Sequence, residues 1–293
     1  MAIKTPGSLG ALQYVAESTY GTTPGTALSY FGFMNSMQES GGSDEEEQLK
    51  DGSRIYDTVI HRIKSAGFSA KLSMFRDQST TYYLKNLVNQ AYAPAADLGS
   101  FSALMKIAQG EYAAYQGCKI DSLAIGADRV GDKVTADVTV KALKALDHSA
   151  SKPSGWGTES TGPTTKTPII YDAYAVGTIG GSSKTINARS FKYTISNNLE
   201  EKEGIVSSVA YAAGNGLVPG VTEVELEYSL LSADYYWDNL KLNHADGITI
   251  THVIGAHTYT FGNCYIMTDD HPSRSQSSYD ETVRFKAGSL SVS

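Results

Sequence analysis

Apolar residues alternate with polar or small ones along most of the chain, which is the pattern of strands buried on one face. Residues 30–37 alternate in this way, and two strands follow at 58–63 and 67–75, the second with Phe68, Ala70, Leu72 and Met74 on one face. Residues 101–108 and 111–125 read as strands. Gly131 marks a hairpin turn, and 133–143 returns with Val134, Ala136, Val138 and Val140 together. Further on, strands are predicted around 169–176, 188–195 and 221–231, the last with Val224, Leu226 and Tyr228 inward. Two stretches change period. From Tyr82 onward, Tyr83, Leu84, Leu87, Val88 and Ala91 recur at helical spacing, with Ser79 and Thr80 as caps and Pro94 as the stop. Ser232 caps a second helix whose apolar side is Tyr236, Trp237 and Leu240.

These elements recur in the same order. A module over 79–142, helix then strands, is matched by another over 232–287, with Tyr82-Tyr83-Leu84 opening one and Tyr235-Tyr236-Trp237 the other. Residues 104–120 lie without gaps on 250–266: Leu104 on Ile250, Ile107 on Val253, Tyr115 on Phe261, Cys118 on Cys264, Ile120 on Ile266. The expected fold is therefore mainly β, in two tandem domains with one helix each. The first spans 1–150 and carries an N-terminal arm, in which a short apolar stretch at 9–17 is followed by the turn-rich 18–26. Residues 151–168, rich in Ser, Thr, Gly and Pro around Trp156, form a linker or a pinned surface loop. The second domain spans 169–293. Halves so related can pack like neighbouring subunits of a ring.

Length agrees, since 293 residues suffice for two cores. No apolar run reaches the roughly 20 residues of a bilayer span, and the N-terminus lacks a signal peptide's apolar segment, so synthesis in a cytoplasm is expected. A net charge of −7 opposes a surface that grips nucleic acid, though not one that DNA passes without sticking. Cys118 and Cys264, at equivalent places in the two modules, read as buried strand residues and not as a disulfide.

Chemistry-bearing motifs are few. The chain has no Gly-x-Ser-x-Gly, no His-Glu-x-x-His and no phosphate-binding Gly-x-x-x-x-Gly-Lys. Gly177 to Gly181 precedes strand-like sequence and reads as a hairpin turn. His252, His257 and Cys264 lack metal-ligand spacing. No enzyme activity, metal or cofactor is expected. What stands out is acidic: Glu39, then Asp44, Glu45, Glu46, Glu47 and Asp51, read as a flexible loop, and a shorter version in the second half with Glu200, Glu201 and Glu203. The four consecutive acids lack the alternating ligands and turn glycine of a calcium loop.

Three segments carry a resemblance: Ala16-Glu17-Ser18-Thr19-Tyr20-Gly21-Thr22, then Tyr115-Gln116-Gly117-Cys118 after the first helix, then Ser190-Phe191-Lys192-Tyr193-Thr194-Ile195-Ser196-Asn197-Asn198-Leu199-Glu200. In order and spacing they resemble tail tube proteins of tailed phages and related viruses. The resemblance implies two tandem β-sandwich or barrel-like tail tube domains, each with one flanking α-helix, in a structural virion protein that polymerises into stacked rings around a channel for DNA, with itself and other tail proteins as partners and no membrane. It is assembled in the host cytoplasm and ends in the virion tail. Where single-domain members make hexameric rings, a duplicated chain would make homotrimeric rings, with an acidic lumen. The acidic residues named above become candidate subunit and ring contacts, the first loop ordering against a neighbour's Lys or Arg. The rival reading is a tail-tip or surface β-sandwich that binds a carbohydrate or receptor, with tyrosines and acidic loops meeting the sugar.

Overall fold

The structure, a computed structural model, describes residues 10–40, 43–49, 56–63, 66–76, 83–93, 97–107, 111–160, 167–172, 175–179, 181–201, 217–230, 247–270 and 281–293. In chain order the elements of the first half are β1 (Ala11–Ala16), β2 (Ser29–Ser40), β3 (Ser43–Leu49), β4 (Tyr56–Ile63), β5 (Ala66–Ser73), α1 (Tyr83–Ala91), β6 (Phe101–Lys106), β7 (Tyr112–Ala127), β8 (Thr135–Ala142) and β9 (Lys144–Ser149). The second half has β10 (Ala175–Ile179), β11 (Ser182–Ile186), β12 (Ala188–Ser196), β13 (Glu200–Glu201), β14 (Leu217–Val218), β15 (Glu223–Leu230), β16 (Ile248–Ile254), β17 (His257–Asp270), β18 (Glu281–Ala287) and β19 (Ser289–Val292). The mainly β expectation holds.

Antiparallel pairing runs β7–β8–β5–β2–β1–β6 and returns to β7, closing a six-stranded barrel. Alternation made this possible: the inward set of β5 and β8, with Phe68, Ala70 and Leu72 facing Val138 and Val140, is buried to 5% or less. Closure also removes most of the barrel's free sheet edges. The helix α1 lies against β2 and β7 and adds Leu84, Leu87, Val88 and Ala91 to the barrel core. Its predicted caps Ser79 and Thr80, and the whole second helix from Ser232, lie outside the described residues.

The second half repeats the circuit. Its strands run β12–β15–β18–β17–β16–β10, the order in which β2, β5, β8, β7, β6 and β1 stand in the barrel. Irregularities recur at matching points: Asn35 and Arg189 are extra residues in β2 and β12, Asp121 and Met267 in β7 and β17. One difference is closure, since β10 takes the hairpin partner β11 on its outer side, turning through Gly181 at φ +84°. That hairpin is the glycine-rich segment read as a turn.

The predicted alignment needs a correction of one residue in the strand before the turn. Phe101 faces Cys118 and Ile248 faces Cys264, while Ala103 faces Tyr115 and Ile250 faces Phe261. Ile250 is therefore the counterpart of Ala103, not of Leu104, and Val253 that of Lys106, not of Ile107. Between the equivalent facing pairs Lys106–Tyr112 and Val253–Thr258 the first copy has one residue more, and a one-residue slip turns a strand's side chains to the opposite face. Leu104 accordingly packs in a separate outer cluster with Val15, Leu28, Tyr112, Ala114 and Trp156.

Trp156 also settles the character of 151–160. The ring is 7% exposed, and Gly157 runs so close to Thr26 that a Cβ there would lie 1.6 Å from its carbonyl oxygen, so this stretch is pinned and not a free linker. Residues 167–171 then bind back to the barrel, Ile169 N–H donating to the Met74 carbonyl and Tyr171 N–H to that of Asp132. Cys118 and Cys264 are free and buried, as expected, and burial pushes the Cys264 thiol up to about 12.

Buried tyrosines line both cores. In the second, Tyr228 and Tyr193 hydroxyls bond at 2.6 Å and Tyr193 also bonds His252 Nδ1. Burial raises Tyr14 and Tyr171 to about 12, and Tyr193 and Tyr228 well above the usual 10.0. Between pH 10 and 12 the unfolded chain thus sheds phenolic protons that the folded chain keeps, so stability declines with rising pH in that window. Denaturant midpoints measured against pH are expected to be level up to about pH 10 and to fall steeply beyond it. A level midpoint to pH 12 would show these hydroxyls to be open to solvent.

Candidate assembly surfaces

Among the described residues, the acidic residues predicted as contacts fall on three strands, β2, β3 and β13. Glu39 is on β2, where its Oε1 accepts from the Tyr115 hydroxyl at 2.7 Å and lies 2.8 Å from His148 Nε2. Asp44, Glu45, Glu46 and Glu47 belong to β3, a strand and not the loop that was expected. Pairing with β4 makes it so: that strand offers Thr58, Val59 and Ile60, residues that favour extended backbone, and sets Arg62 opposite Asp44 in register. Glu200 and Glu201 form β13, paired with β14. Asp51 and Glu203 lie outside the described residues.

Sequence reading missed the polar residues that join the two circuits. Along the sheet, β12 pairs with β7 from Phe191 opposite Ala127 to Ser196 opposite Ser122. Gly126 permits this approach, since a Cβ there would sit 2.6 Å from the Phe191 carbonyl oxygen. Just past β12, the fully buried Asn197 donates through Nδ2 to the carbonyls of Ala91, at the end of α1, and Ile120, in β7, both at 2.8 Å. Its Oδ1 accepts from the Thr222 hydroxyl at 2.9 Å. Leu199 N–H then donates to Asp121 Oδ1 at 2.8 Å, and Lys141 Nζ to the Leu199 carbonyl at 2.7 Å. Lys119, 5% exposed, donates to the Leu217 carbonyl at 3.0 Å and pairs with Asp97 at 3.2 Å. The β13–β14 ribbon is thereby bound onto the outer face of β7. The only cue in the sequence was the Asn197-Asn198 pair ending a strand, where a polar side chain often serves the backbone.

A second polar centre fixes the N-terminal arm. Glu17 Oε1 accepts from the Ser102 hydroxyl at 2.6 Å and the Gly117 N–H at 2.9 Å, and Oε2 accepts from the Gly21 N–H at 2.8 Å. Gly117 and Gly21 have φ +64° and +73°, a backbone that favours glycine. Glu17, Gly21 and Gly117 are all within the segments that carried the resemblance. A family model described as phage tail tube protein matches residues 7–287, nearly the whole chain.

The chain belongs to the phage tail tube family. A search of curated proteins gives no match. As a tail tube protein it is a structural component of a phage tail that assembles with itself and with other tail proteins. Among the described residues no group of three or more His, Cys, Asp and Glu is placed to hold a metal. An open cleft of about 530 Å³ lies between Tyr20, Lys119 and Leu217 at the seam described above.

Proposed function

We propose that this tail tube protein polymerises into stacked rings of three chains, each chain supplying two similar domains, and that DNA passes through the lumen. The observation that carries the reading is the repeated circuit: two sets of six strands in one order, joined edge to edge at β7 and β12. Such a chain is a short arc of a cyclic array, and three arcs make six quasi-equivalent positions. The domains are 1–150 and 169–293, with 151–168 between them. A channel for polyanionic DNA must not hold phosphates, so Lys and Arg would face outward or be paired, in keeping with the net charge of −7. Assembly takes place in the host cytoplasm, and the product serves DNA delivery from the virion tail.

Electron cryomicroscopy of tubes grown from the purified chain is expected to resolve three chains per ring. Six whole chains in each ring would overturn the proposed stoichiometry.

A further inference from the structure

Two strand edges without a partner among the described residues are the counterparts of the two edges joined inside the chain. On β7, the edge away from β8 takes β6 as far as Cys118 and β12 from Ser122 onward. On β17, the edge away from β18 takes β16 as far as Cys264 and nothing beyond it. On β12, the edge away from β15 lies on β7. On β2, the edge away from β5 takes β1 only up to Phe33, which leaves 36–40 open. The matching extra residues, Asn35 with Arg189 and Asp121 with Met267, fix the correspondence residue by residue.

The face beside these edges gives a second, independent sign. Lys119 and Asp121 on β7 are covered by Leu217 and Leu199, which follow β12. Their counterparts on β17 are Tyr265 and Met267, and these are 44% and 40% exposed, among the few large hydrophobic residues on the described surface. An apolar pair at the site whose twin is covered is a surface awaiting a cover.

We propose that the open edge of β17 takes residues 36–40 of β2 from a second copy of this chain, antiparallel and in the register of β7 on β12, with that copy's β3–β4 hairpin over Tyr265 and Met267. The correspondence places Ser40 opposite Asp270, as Thr194 stands opposite Ala124. The hairpin follows β2 as the β13–β14 ribbon follows β12, so the same path over the neighbouring strand is open to it. The joint is head to tail, one edge from each half of the chain, and closes on itself only by rotation. It rests on the ring reading above, and supplies that reading with its contact.

The test uses the full chain carrying S40C/D270C, with S40C alone and the out-of-register S40C/T268C as controls, polymerised and then oxidised. Cys118 and Cys264, both 0% exposed, take no part. Facing strand positions bring Cβ atoms within disulfide reach, whereas positions two residues out of register do not. The expected result on a non-reducing gel is covalent multimers for S40C/D270C and monomers for both controls. A second variant, Y265D/M267D, changes only exposed positions and is expected to melt like the parent monomer yet fail to polymerise. Tubes whose S40C/D270C chains run as monomers, or polymerisation of Y265D/M267D at the parent's level, would overturn this joint and leave the ring reading standing. A parent chain that forms neither rings nor tubes would overturn both.

Discussion

Asn197→Asp is expected to destabilise the monomer by about 4 kcal/mol or more, although it changes one atom of a fully buried side chain. Asparagine gives two N–H bonds from Nδ2 to the carbonyls of Ala91 and Ile120, each at 2.8 Å. Aspartate at neutral pH places an acceptor-only, charged oxygen against the same two acceptors, so both bonds become repulsions in a site without water access. With unfolding entropies ordinary for this size, the melting temperature falls by roughly 10 °C. The pH dependence identifies the cause. The introduced carboxyl has a folded pKa raised above its unfolded value of about 3.9, so the penalty is full at neutral pH and fades as pH falls toward that value, where the neutral acid restores one donor. Thermal melts of parent and variant at pH 7 and pH 4 check this. A deficit that is equal at both pH values would mean that packing, and not the lost donors, is responsible.

Gly126→Ala is expected to loosen the seam between the circuits. The added methyl would sit 2.6 Å from the Phe191 carbonyl oxygen and 3.4 Å from Lys192 Cα, both backbone atoms of β12 that cannot turn away. Either β12 shifts off β7 or β7 bends, at a cost on the order of 2–3 kcal/mol. Amide exchange resolved along the chain should show faster exchange in β12 and the second half of β7, with α1 and β5 unaffected. Gly99→Ala is the fitting control, since its nearest neighbour is the flexible Gln90 side chain at 3.9 Å. Equal protection of β12 in parent and Gly126→Ala would show that the strands already stand far enough apart.

Both effects depend on residues whose importance was not legible in the sequence, and the reason is physical. Local alternation is a property of one strand, so Phe68, Ala70, Leu72 and Met74 announced β5 and its inward face without help from elsewhere. That the two halves share one sequence of elements followed from the repeat. Register in β6 did not, because Ala103 and Met105 face the barrel core while Leu104 on the other face is also buried, and a strand apolar on both sides has no alternation to read. The acidic run of β3 looked like a solvated loop because its strand character comes from β4, a partner more than a turn away. Asn197 and Lys119 act across gaps of 77 to 106 and of 98 residues, respectively, and no spacing rule reaches so far.

The sixteen residues of β7 have a mechanical meaning as well. Its first half belongs with β6 and β9, its second half with β8 and β12, so one extended backbone is a member of both halves of the molecule. A chain joined by a flexible tether bends at the tether. Here a bend between the halves would have to stretch ladder hydrogen bonds along a continuous strand, and the pinned 151–160 segment offers no slack beside it. Each chain should therefore move as a single stiff segment, and a tail built from such segments would flex where one chain meets the next.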